Sequence, residues 1–192
     1  CISFKTEHNI PCVRLVGALN HFLPEDIAVL NCREVDLDFH ARYSCKGKEY
    51  IYRIWNSNIR NPFLNKRALH YWYSLDETKL NEAAGYFLGS HDFSSFCTID
   101  SRERRNMVRT VTKSEVKREG NMVTFTVAAD GFLYNMVRIM VGTLLRVAQG
   151  KLEPNDIPKI IRAKDRKSAG PTAPPHGLYL NRVFYEDVNE DE

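Results

Sequence analysis

The feature that most limits how this chain can fold is a pair of alternating runs, 108–118 and 121–129, joined at Glu119-Gly120-Asn121. Both runs read as strands, whose successive side chains point to opposite faces. The glycine at the junction supplies the turn of a hairpin. A hairpin with one apolar face needs cover, and the following segment provides it. Val137, Met140, Val141, Leu144, Leu145 and Ala148 recur at helical spacing and stop before Gly150. Together these elements predict an α+β domain, a largely antiparallel mixed sheet backed by helices.

The rest of the chain fits around that unit. Residues 1–7 read as a strand, Asn9 as the cap of a helix with Pro11 near its start, and Leu15, Leu19, Phe22 and Leu23 as that helix's stripe. Residues 27–29 read as a short strand. The segment from Phe39 to Tyr52 begins as a connector and ends in an alternating strand, Tyr50 to Trp55. A boundary before Phe39 divides the chain into 1–38, the remainder of a first domain, and 39–192, a nearly complete second one. Ser74 with Glu77 forms a capping box for a helix that carries Leu80, Ala83, Ala84, Phe87 and Leu88 and ends at Gly89. Residues 91–96 read as a loop with two aromatic anchors. Pro154-Asn155-Asp156 opens a helix through Ala163, with Pro158 in its first turn. Residues 170–177 hold three prolines and two glycines, so they form irregular structure leading to a closing strand, 178–185.

Composition narrows the class of protein. With 43% hydrophobic and 27% charged residues among 192, the chain has the balance of a folded globule. No apolar run approaches membrane-spanning length. The five cysteines form no CxxC pair, which argues against a disulfide framework or a structural zinc site and favours reduced, cytoplasmic thiols. A net charge of +3 permits a nucleic-acid partner without requiring one. The chain opens on Cys1, without an initiator methionine, and so reads as a fragment. Glycine-rich nucleotide fingerprints are absent.

Several residues carry possible chemistry. Alternation puts Tyr50, Tyr52 and Ile54 on one strand face and Ile51, Arg53 and Trp55 on the other. Tyrosines beside a basic connector make a platform for a flat, phosphate-linked ligand, although an ordinary strand with an aromatic core face has the same pattern. Arg138 lies beside the apolar stripe of the best helix, and a buried cation needs an anionic partner. That partner is either a local acid such as Asp130 or a catalytic carboxylate that Arg138 keeps ionised. Gly142, one turn on, leaves room for the guanidinium or for a closely packed strand. The six histidines form no metal-ligand pattern. His91, Asp92, Ser94 and Ser95 lack the layout of a hydrolytic triad.

Six stretches, in order, resemble the TruA-type tRNA pseudouridine synthases. Residues 19–29 are similar to LNxxLPxDIxV, and Phe39-His40-Ala41-Arg42 with Tyr50-Ile51-Tyr52 to FxAR…YxY. Residues 89–96 are similar to GxHDFxxF and residues 135–144 to NMVRxxVGTL. Residues 163–166 and 173–180 resemble the closing motifs. The resemblance implies a pseudouridine synthase-like fold and isomerisation of uridine to pseudouridine in the tRNA anticodon stem-loop, without metal or organic cofactor. It implies that Tyr50 stacks on the flipped base, that Arg138 pairs with the catalytic aspartate, and that Arg42 and Leu178 help bind the substrate. Lys46, Lys48, Arg102, Arg104 and Arg105 are candidate RNA-phosphate contacts. A homodimer holding tRNA, away from membranes, is also implied. The family's aspartate motif, GRTDxGVH, does not occur among these residues, so the chain alone is expected to be inactive. A non-catalytic RNA-binding module is the alternative.

Overall fold

The computed structural model describes residues 1–98 and 106–185. They divide into two compact units, Cys1–Cys45 and Lys46–Glu192. In the first unit, helix α1 spans Cys12–Phe22. It starts at Pro11, not at an Asn9 cap, and no side chain caps it. Proline's fixed φ suits the position, and the Arg14 and Leu15 amides both reach the Pro11 carbonyl. The strands expected at 1–7 and 27–29 do not form. An extended segment becomes a strand only by pairing, and no ladder partner is supplied to either one among the described residues. Instead the Asn20 side chain brackets Val29, accepting from its amide at 2.7 Å and donating to its carbonyl at 2.9 Å.

The second unit is built on one six-stranded sheet. Its strands are β1 (Cys45–Asn56), β2 (Leu69–Tyr71), β3 (Gly89–Asp92), β4 (Val108–Glu119), β5 (Met122–Ala129) and β6 (Leu178–Tyr185). The order is β2-β1-β5-β4-β3, with β6 also paired to β1. The expected hairpin is β4–β5, turning at Gly120 with φ +57°. A register shift between Val111 and Lys113 lets Val111 and Ser114 both face inward. The short β1–β2 contact is parallel, whereas the β1–β5, β3–β4 and β4–β5 pairings are antiparallel, so the sheet is mixed but mainly antiparallel.

Helices α2 (Glu77–Gly85), α3 (Met136–Ala148) and α4 (Ile157–Ala163) complete the unit. Val123, Phe125 and Val127 of β5, Val137, Ile139, Met140 and Val141 of α3, and Leu80, Ala83 and Ala84 of α2 form one buried core. Asp76, not Ser74, caps α2, accepting from the amides of Thr78 and Lys79. Its carboxylate lies next to the first helical residue, where the unpaired amides point. Helix α2 ends at Gly85, and Gly89, with φ +99°, begins β3 instead. The expected loop at 91–96 is therefore the end of a strand followed by a short 3₁₀ turn, with Phe93 and Phe96 fully buried.

Candidate active site

Strand β1 places its aromatic residues as alternation requires. Tyr52 and Ile54 are buried in the core, and Tyr50, on the same face, is half-buried. The Tyr50 ring stands edge-on to Phe132, with centroids 5.0 Å apart. Phe132 lies in the short connection from β5 to α3. That connection ends at Asn135, whose backbone is left-handed with φ +62°. Asparagine is among the few non-glycine residues that adopt this conformation readily. From there the chain enters α3, and the Asn135 side chain accepts from Arg138 Nη1 at 2.9 Å.

The irregular segment 170–177 joins helix to strand. Arg138 Nε donates to the Ala173 carbonyl at 2.6 Å, and the Ala173 amide returns a bond to the Arg138 carbonyl at 3.0 Å. The next carbonyl, that of Pro174, accepts from the Tyr52 hydroxyl at 2.7 Å. Burial pushes the Tyr52 phenol's pKa well above its ordinary range, while the neighbouring Arg138 guanidinium pulls it the other way. Tyr52 therefore acts as a neutral donor. Thr143 and Arg166 anchor the same segment. The Gly170 amide donates to Thr143 Oγ1 at 2.9 Å, and Arg166 Nη1 donates to the Gly170 carbonyl at 2.8 Å.

Two readings of Arg138 need correction. Asp130 is not its partner, since the Asp130 carboxylate accepts from the Thr110 amide at 3.0 Å. The space beside Gly142 holds neither the guanidinium nor a strand. A Cβ at Gly142 would come within 1.7 Å of the Pro171 carbonyl oxygen, so the 170–172 segment fills it. Arg138 remains half-buried. Among the described residues it forms no ion pair with a carboxylate, and its Nη2 makes no hydrogen bond.

The other predicted residues are more dispersed. Leu178 begins β6 and packs against the core. Gly177, just before it, passes so close to β1 that an added Cβ would lie 2.8 Å from the Tyr52 ring. Lys46 and Lys48 share Tyr50's strand face by alternation. Arg42 is exposed in the first unit, its guanidinium 5.7 Å from the centre of the Tyr43 ring. Arg102, Arg104 and Arg105 lie outside the described residues. Asp92 is occupied by Ser94 and Lys164, and His91 turns to the Leu88 carbonyl, so these residues do not line up as a triad. No group of three metal-ligating side chains occurs among the described residues.

Sequence reasoning gave no role to Tyr52, to Asn135, or to the carbonyls of Ala173 and Pro174. The YxY spacing already put Tyr52 on Tyr50's face, and an asparagine at the entry to a helix is one of the few residues that readily take a left-handed turn. The two carbonyls carry no side-chain signal at all.

A family model described as tRNA pseudouridine synthase matches residues 83–186. The chain is 49% identical over 183 residues to tRNA pseudouridine synthase A of Acetivibrio thermocellus, covering 95% of this chain and 75% of that protein. It is 46% identical to the protein of the same name in Bacillus pumilus, over 97% of this chain and 75% of the relative. For Geobacillus kaustophilus the identity is 47%, over 97% of this chain and 72% of the relative.

Proposed function

This chain belongs to the tRNA pseudouridine synthase family, and we propose from that premise that its β1–α3 pocket isomerises uridine to pseudouridine in tRNA. The observation that carries the reading is the convergence on residues 173 and 174. Two adjacent carbonyls fix a helical guanidinium and a strand phenol, and Tyr50 lies two residues along the same face. An arrangement held this way ties a half-buried cation to the strand that carries Tyr50.

Each group then has a task. The uridine is everted from its stack and lies against Tyr50, whose ring stacks on the flat base. The bond from ribose C1′ to N1 breaks, the uracil turns, and C1′ bonds to C5. The proton on C5 leaves to the Tyr50 oxygen as that hydroxyl gives its own proton to solvent, and N1 takes one from solvent, so the product is an isomer of the substrate. Arg138 is the anchor for the family's catalytic carboxylate, whose GRTDxGVH motif does not occur among these residues. Its donors at Nε and Nη1 are already committed, which fixes the plane of the guanidinium and leaves Nη2 for a charge-assisted bond. Leu178 supplies an apolar contact to the base, and Arg42, Lys46 and Lys48 meet phosphates.

The anticodon stem-loop as target, a homodimeric enzyme, a cytoplasmic setting and inactivity of this chain alone complete the proposal; they rest on the resemblance. The test is to join the chain to a segment bearing the aspartate motif and incubate it with unmodified tRNA. Pseudouridine formation supports the reading, and its absence with tRNA bound contradicts it.

A further inference from the structure

A second concave site lies at the other end of β1. Strand β1 pairs with β6 and, from Ile54 to Asn56, with β2. There the loop after β1 and the turn at Pro175–Gly177 border a half-open hollow of about 380 Å³. Trp55, Arg60, Lys66, His70 and His176 line it, and no carboxylate among the described residues does. Trp55 and Tyr50 are five residues apart, about 16 Å along an extended strand, and alternation turns Trp55 to the opposite face. The cavity is therefore separate from the Tyr50–Arg138 pocket.

Its lining comes from two stretches of chain, Trp55 to His70 and the turn that carries His176. It is also braced. Trp55 Nε1 donates to the Ile59 carbonyl at 2.9 Å, and His70 Nε2 meets the Ser57 carbonyl at 2.9 Å. The Asn61 side chain accepts from the Phe63 amide at 3.0 Å, and the Tyr179 hydroxyl reaches across to the Arg67 carbonyl at 2.6 Å. Within this frame, Arg60 and Lys66 have no ion-pair partner among the described residues. Arg60 and Lys66 are exposed at this hollow and have no carboxylate beside them among the described residues, which leaves it positively charged and suited to an anion. Because the Trp55 N–H is already committed, what that residue offers a ligand is ring surface, which suits a base or ribose beside the charge.

We propose that this cavity binds a nucleotide phosphate, and that its source is an RNA backbone phosphate away from the uridine at Tyr50. The assignment to RNA rests on the function proposed above, whereas the phosphate chemistry does not. The test uses the 192-residue chain carrying Trp72→Phe, which leaves Trp55 as its single tryptophan. Arg60→Gln and Lys66→Asn remove the charges, and asparagine tolerates the left-handed backbone of residue 66, φ +59°. Thermal melting checks that the variants fold. Binding of tRNA across a salt series is expected to weaken at least about tenfold in the double variant. The slope of log K against log salt should fall by about 1.5, the value for two lost phosphate contacts. Lys117→Gln, an exposed cation elsewhere, serves as control. AMP and inorganic phosphate are titrated separately against Trp55 fluorescence. Saturable quenching that the double variant abolishes, with an unchanged tRNA slope, keeps the phosphate site and overturns RNA as its source. An unchanged slope with no response to AMP or phosphate overturns the proposal. A chain that binds no tRNA at all contradicts the function proposed above, and the AMP titration still decides the cavity.

Discussion

The Tyr52 hydroxyl donates to the Pro174 carbonyl across 122 residues of sequence, at 2.7 Å. This bond fixes the irregular 170–177 segment to the middle of β1, and the same segment holds Arg138 through the preceding carbonyl. Tyr52→Phe deletes the donor and leaves the carbonyl unpaired. The expected cost is about 1–3 kcal/mol of stability, read by urea unfolding. Turnover in the aspartate-bearing enzyme should also fall, because Arg138 loses a rigid neighbour. A variant with wild-type stability would mean that the bond carries no weight.

Gly142 and Gly170 pack backbone against backbone. A Cβ at Gly142 would lie 1.7 Å from the Pro171 oxygen, and one at Gly170 would lie 2.4 Å from the Gly142 oxygen. Neither neighbour is a flexible side chain that can swing away. Gly142→Ala should therefore cost about 3 kcal/mol or more, at the upper end of overpacking effects. Circular dichroism melts of the purified variant measure it.

Arg138 is expected to be intolerant even of lysine. A guanidinium spans the Ala173 carbonyl and the Asn135 side chain with two different nitrogens, and an ammonium is a single point. Arg138→Lys should cut kcat by a hundredfold or more in the aspartate-bearing enzyme and leave tRNA affinity within about threefold. Equal losses in affinity and kcat would assign Arg138 to RNA binding.

Glu49 ties three strands together on the sheet face opposite the helices. It pairs with Lys113 of β4 at 3.0 Å and accepts from Asn181 of β6 at 2.6 Å. Burial works against its charge, but the hydrogen bonds from Asn181 and Lys113 outweigh burial and hold the carboxyl below its ordinary range. A lowered folded-state pKa stabilises the fold above the unfolded value, roughly pH 4.3, and that contribution disappears as pH falls toward the folded value. Denaturant unfolding between pH 7 and pH 3 should show stability falling with acid, and Glu49→Gln should flatten part of that fall. An identical pH profile in the variant would contradict the assignment.

Much of this arrangement was legible in the sequence because it follows from side-chain periodicity. Alternation placed Tyr50, Tyr52 and Ile54 on the buried face, and helical spacing gave α3 its stripe. The hairpin at Gly120 was visible for the same reason. What could not be read depends on partners far away in sequence. Residues 1–7 and 27–29 alternate well enough, yet among the described residues they find no strand to pair with and stay irregular. The sequence pointed to Ser74 as the cap, but α2 starts at Glu77 and Asp76 caps it instead. Gly142 announced a close approach without saying what approaches. The carbonyls that organise the site belong to an alanine and a proline, whose side chains advertise nothing.

The most direct test of the central claim is C5-tritium release from labelled uridine in tRNA, with the chain joined to its aspartate-bearing segment, comparing wild type with Tyr50→Phe. Removing one hydroxyl should slow release by about a hundredfold or more while tRNA binding stays within about threefold. Release near the wild-type rate would show that the Tyr50 oxygen takes no proton and that the β1–α3 pocket has been assigned the wrong chemistry.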